Sequence, residues 1–69
     1  MSTDQIVVPE IHCDHCKTSI EGALRPLPGV EAASVDVAST TVTVDYDESV
    51  VTRDELVATI VDQGYDVPA

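Results

Sequence analysis

The pattern of apolar residues along 69 residues predicts an α+β sandwich in the order βαββαβ, with two helices on one face of a four-stranded antiparallel sheet. Two observations carry this expectation. The apolar spacing switches between two and three-to-four along the chain, and turn or capping residues stand at each switch. The length adds a bound: one small domain, residues 1–69, with structure over about 5–68. No linker, repeat or low-complexity stretch interrupts it.

The elements follow in order. Ile6-Val7-Val8 is a β-branched run that reads as the first strand, closed by Pro9, which has no N–H to offer a ladder. After a loop over residues 10–13, Asp14 is placed to cap a helix. Cys16, Ile20, Ala23, Leu24 and Leu27 then recur at helical spacing on one face. Pro26 disfavours helical dihedrals at Arg25, and Pro28-Gly29 completes the break, so the helix ends near Arg25 or Leu27. Beyond it Ala33, Val35 and Val37 alternate with Ser34 and Asp36, and Val42, Val44 and Tyr46 alternate with Thr41, Thr43 and Asp45. These runs read as antiparallel strands joined at Ala38-Ser39-Thr40, a turn without the Asn-Gly signature. Thr52-Arg53-Asp54-Glu55 is a capping box that opens a second helix. Its buried stripe is expected at Leu56, Val57, Ile60 and Val61, and its left-handed terminator at Gly64. Tyr65-Asp66-Val67 is expected as a short fourth strand, which completes the ferredoxin-like split unit.

Charge narrows the function. Three Lys plus Arg against thirteen Asp plus Glu give a formal net charge of −10, so nucleic acid and anionic membrane surfaces are repelled and neither is expected as a partner. The 43% hydrophobic content argues against an acidic disordered tail. No apolar run approaches the roughly 18 residues of a membrane span, and residues 1–5 lack a basic start followed by an apolar core. A cytoplasmic location is expected. The acidic surface serves either salt tolerance and solubility or steering toward a basic partner.

Chemistry concentrates at Cys13 and Cys16, the two cysteines of the chain. In a reducing compartment such a pair binds metal or performs redox work far more often than it makes a structural bridge. Placed where a loop enters a helix, both sulfurs face one space, and unpaired N–H groups with the positive end of the helix dipole favour thiolate. Two thiolates suit Cu(I), which accepts two-coordinate sulfur, better than Zn(II), which usually takes four ligands. A structural zinc site would require a second Cys or His pair, and none follows downstream. The thioredoxin-like alternative would expect a longer framework and aromatic neighbours, and this chain has no Trp or Phe.

The loop Glu10-Ile11-His12-Cys13-Asp14-His15-Cys16 resembles the Gly-Met-Thr-Cys-x-x-Cys loop of heavy-metal-associated domains. Leu27-Pro28-Gly29-Val30 is similar to their helix-to-strand junction, and Asp62-Gln63-Gly64-Tyr65-Asp66-Val67 to the ending of bacterial cytosolic copper chaperones. The resemblance implies the βαββαβ fold, Cu(I) ligation by Cys13 and Cys16, and Tyr65 lying near the metal. It also implies delivery to a P-type copper ATPase metal-binding domain or to a copper-responsive regulator. Two positions depart from the pattern. Glu10-Ile11 replaces Gly-Met, and Ile11 can anchor the loop in the core as the Met does. His12 replaces Thr or Ser and is a secondary candidate ligand, although a residue directly before Cys13 is expected to point away from the sulfurs. His15 reads as an exposed first-turn residue whose protonated ring would favour thiolate at its neighbours. Asp14 is better suited to capping than to a soft metal.

The function expected is therefore that of a non-enzymatic copper carrier, monomeric without metal and open to a metal-bridged dimer through shared thiolates. The alternatives are a Zn(II) or Hg(II) carrier of the same fold and a thiol-disulfide oxidoreductase in which Cys13 attacks and Cys16 resolves.

Overall fold

In the computed structural model, which describes residues 2 to 68, the first strand, β1, covers Ser2–Val7. It begins earlier than the run Ile6-Val7-Val8 suggests because its polar half is held across the sheet. The Thr3 hydroxyl donates to Asp45 Oδ1 at 2.6 Å, and the Tyr46 hydroxyl donates to Asp4 Oδ2 at 2.5 Å. The first helix, α1, covers Asp14–Leu24, with Cys13 rather than Asp14 in the capping position. Cys13 is extended at φ −158° and ψ 166° and makes no side-chain cap, so Asp14 instead contributes a carboxylate to the first turn, where the helix dipole favours it. Pro26 and Pro28 follow the helix end, and Gly29 takes φ +90°. A Cβ at Gly29 would lie 2.9 Å from Val50 Cβ, so both the backbone angle and the close approach call for glycine.

Strand β2 covers Val30–Asp36 and β3 covers Thr41–Tyr46, in an antiparallel sheet ordered β1-β3-β2. Val42 faces both Ile6 and Val35, and Val44 faces Ala33, which puts the apolar set of each strand on one face. A register shift between Val30 and Ala32 marks a bulge. The hairpin turn manages without Asn-Gly because Asp36 Oδ1 accepts the N–H groups of Ala38 and Ser39. Thr40 closes it at φ 52°. The second helix, α2, covers Arg53–Asp62, and Thr52 caps it by accepting the Glu55 N–H at 3.2 Å.

One apolar cluster joins the inner face of the sheet (Ile6, Ala33, Val35, Val42, Val44) to Ile20 and Leu24 of α1 and to Leu56 and Ile60 of α2. Sharing that cluster places both helices over the same face. Glu21 of α1 is buried at 9% exposure, and its Oε2 accepts the Val35 N–H at 2.9 Å. It thereby satisfies a donor on β2, an edge strand of the sheet.

Two expectations need correction. Among the described residues the sheet has three strands, not four: residues 65 to 67 form no ladder, and the Asp66 N–H goes to the Glu10 side chain instead. Val61 is half exposed, because α2 is covered along Leu56 and Ile60 and Val61 lies off that line. Cys16 belongs to the core at 7% exposure, in line with its place on the apolar face of the helix. Met1 and Ala69 of the expected 1–69 domain lie outside the described residues. No helix of the described residues is long and apolar enough to cross a membrane.

Candidate metal centre

The chain leaves β1 through a turn at residues 8–11, where Pro9 presets the second position and the Ile11 N–H donates to the Val8 carbonyl at 3.1 Å. Ile11 then plugs into the core at 2% exposure, which fixes the base of the loop from below. His12 and Cys13 remain exposed, and Cys16, one turn into α1, is buried. Such a loop presents one sulfur to solvent and keeps the other under cover. Cys13 Sγ and Cys16 Sγ lie 3.5 Å apart as free thiols.

His12 does not point away. Its ligand nitrogen and the two sulfurs all lie within 4.8 Å of one another. The ring is held by a hydrogen bond between Nδ1 and the Glu10 carbonyl oxygen. A carbonyl can only accept, so Nδ1 carries the proton and Nε2 is left as the ring's lone-pair nitrogen. Sequence reasoning missed this orientation because it depends on the Glu10 carbonyl turning inward at the end of the turn, which no spacing rule reports. His15 is exposed and stands outside the group of three.

The surroundings of Cys16 favour its thiolate. Hydrogen bonding from the Tyr65 hydroxyl, aided by the His12 backbone and by Cys13, lowers Cys16 from 9.0 to about 7 against the opposing effect of burial. The reciprocal effect raises Tyr65, chiefly through its bond to Cys16 and then through burial. Tyr65 thus stands beside the pair, half-buried against the core. The Asp66 N–H next to it donates to Glu10 Oε1 at 2.6 Å, across 56 residues of chain. Glu10 is the second residue that sequence reasoning missed. The available signal was an acidic side chain where the resembled loop has glycine.

This arrangement can hold a soft cation between two sulfurs, with one imidazole in reach and no carboxylate in the group. Comparison with known proteins agrees with the fold. The family model of the heavy-metal-associated domain matches residues 5–66. A relative from Staphylococcus saprophyticus named copper chaperone CopZ is 45% identical over 67 residues, covering 97% of this chain and 98% of its own. A solved structure described as CopZ metallochaperone superposes with a TM-score of 0.94 at 39% identity, over 97% of this chain and 100% of that one. A copper-binding domain of a P-type ATPase superposes with a TM-score of 0.90 at 30% identity, over 100% of this chain and 96% of that one.

Proposed function

We propose that this chain, which belongs to the heavy-metal-associated domain family, is a cytoplasmic carrier that binds one Cu(I) through Cys13 and Cys16 and passes it to the metal-binding domain of a copper-transporting P-type ATPase. The observation that carries the reading is the pair of thiols 3.5 Å apart, one exposed and one buried, at the start of α1. Relatives named copper chaperone and a P-type ATPase domain of the same fold supply the cargo and the class of partner.

Exposure dictates the order of transfer. The exposed Cys13 is the sulfur a partner's thiolate can approach, so the incoming thiolate adds to Cu(I) there and the Cys13–copper bond breaks first. The covered Cys16 lets go last, when a second partner thiolate replaces it. Copper stays Cu(I) throughout, because each step exchanges one thiolate for another. The chain acts as a carrier rather than a catalyst, and failure to accelerate insulin reduction by dithiothreitol is the expected result of a direct assay.

A Zn(II) reading has one observation in its favour, the approach of His12 to both sulfurs. Imidazole adds the further ligand that zinc needs and two-coordinate copper does not. Competitive titration with Cu(I) and Zn(II) chelators tests both readings. Cu(I) affinity should vanish in the Cys13→Ser/Cys16→Ser chain, and His12→Ala should weaken Zn(II) while sparing Cu(I). Tight Cu(I) binding by the double-serine chain would end the proposal.

A further inference from the structure

The loop after β1 and the segment after α2 meet at the metal centre, although residues 65 to 68 belong to no strand and no ladder aligns them. One residue reaches both sides of that meeting. The main-chain carbonyl of Glu10 accepts from His12 Nδ1, and its carboxylate accepts the Asp66 N–H at 2.6 Å. Glu10 is itself fixed, since it occupies the third position of the turn closed by Val8 and Ile11. Asp66 adjoins Tyr65, so anchoring that amide sets where the Tyr65 ring enters the site.

We propose that Glu10 is a positioning residue of the metal centre: its carboxylate holds the Tyr65 segment against Cys16 while its carbonyl orients His12. The proposal rests on the reading of Cys13 and Cys16 as the copper ligands. A glycine at this position, as in the resembled loop, could supply the carbonyl but not the carboxylate. The tie across 56 residues therefore depends on the side chain that this sequence carries. It does for the C-terminal segment what a ladder would otherwise do.

The test uses the full chain with Glu10→Ala and Glu10→Gln. Ala removes the acceptor and keeps the carbonyl, whereas Gln keeps a side-chain oxygen able to accept from Asp66. Cu(I) affinity is measured by chelator competition, the proximity of the Tyr65 ring to Cys16 by NMR in the metal-free protein, and the fold by thermal melting. Glu10→Ala should weaken Cu(I) binding about tenfold, the lower end of what outer partners of a metal site typically cause. It should also lose the Tyr65–Cys16 contact without lowering the melting temperature appreciably, because Glu10 is exposed. Glu10→Gln should restore affinity and contact. Unchanged affinity and contact in Glu10→Ala would overturn the proposal, and so would a Gln variant as impaired as Ala. If the unsubstituted chain failed to bind Cu(I) through its cysteines, the copper reading would fall, and the NMR contact would still decide the role of Glu10.

Discussion

Replacing Tyr65 by Phe removes one hydroxyl and leaves the ring that packs on the core. Its effect should be read at Cys16. With the thiol lowered to about 7, about half of Cys16 is thiolate at pH 7, against about one part in a hundred for a thiol at its ordinary 9.0. The Tyr65 hydroxyl is the largest of the causes that lower it, ahead of the His12 backbone and Cys13, and burial works in the opposite direction. Tyr65→Phe should therefore move the Cys16 midpoint back toward 9.0, and the thiolate fraction at pH 7 should fall. The Cβ chemical shift of Cys16, followed by NMR across pH in the metal-free protein, reports this thiol separately from Cys13. A Phe variant that titrates where the unsubstituted protein does would refute the assignment of the hydroxyl as the dominant cause. So would an unsubstituted protein that already titrates near 9.0.

Other outcomes follow from the same structure. The depressed value also makes stability depend on pH: between about 7 and 9.0 the unfolded chain holds more protons on Cys16 than the folded one. Resistance of the metal-free protein to urea should accordingly rise across that window and be lost as pH falls through 7, with Cys16→Ser flattening the trend. Glu21→Ala should cost about 1–3 kcal/mol in urea unfolding by stripping the Val35 N–H of its acceptor, whereas Arg25→Ala should cost under about 1 kcal/mol. The difference is one of exposure, since the Arg25 side chain is 61% exposed in its ion pair with Glu21. If the acidic surface steers encounter with a partner domain, the association rate should fall as salt rises past the point where charges more than about 8 Å apart are screened. A salt-independent rate would leave the charge as a solubility feature.

What the sequence disclosed and what it hid divide along the range of the interactions. The β2–β3 hairpin, both helices and the Thr52 cap are written in local periodicity and in residues three or four apart, and they stand where that reading places them, apart from Cys13 taking the capping position that Asp14 was expected to fill. The Cys13 and Cys16 pair was equally legible, since its spacing at a helix start is itself a local signal. The features missed are long-range. The polar start of β1 is held by Asp45 and Tyr46, and residues 65 to 67 form no ladder, the Asp66 amide going to a carboxylate 56 residues earlier. Glu21 is singled out by no local pattern, and its burial becomes visible only once β2 lies beside α1. His12 turned toward the sulfurs for the same kind of reason, a carbonyl placed by a turn rather than by a sequence pattern.

The central claim, that two sulfurs of one loop hold Cu(I), is tested most directly by X-ray absorption at the copper edge on the chain loaded with one equivalent of Cu(I). The account predicts a reduced copper edge and a first shell made of the two sulfurs of Cys13 and Cys16, with the sulfur signal gone in the double-serine chain. A first shell of nitrogen and oxygen, or a sulfur shell that survives the loss of both cysteines, would contradict it.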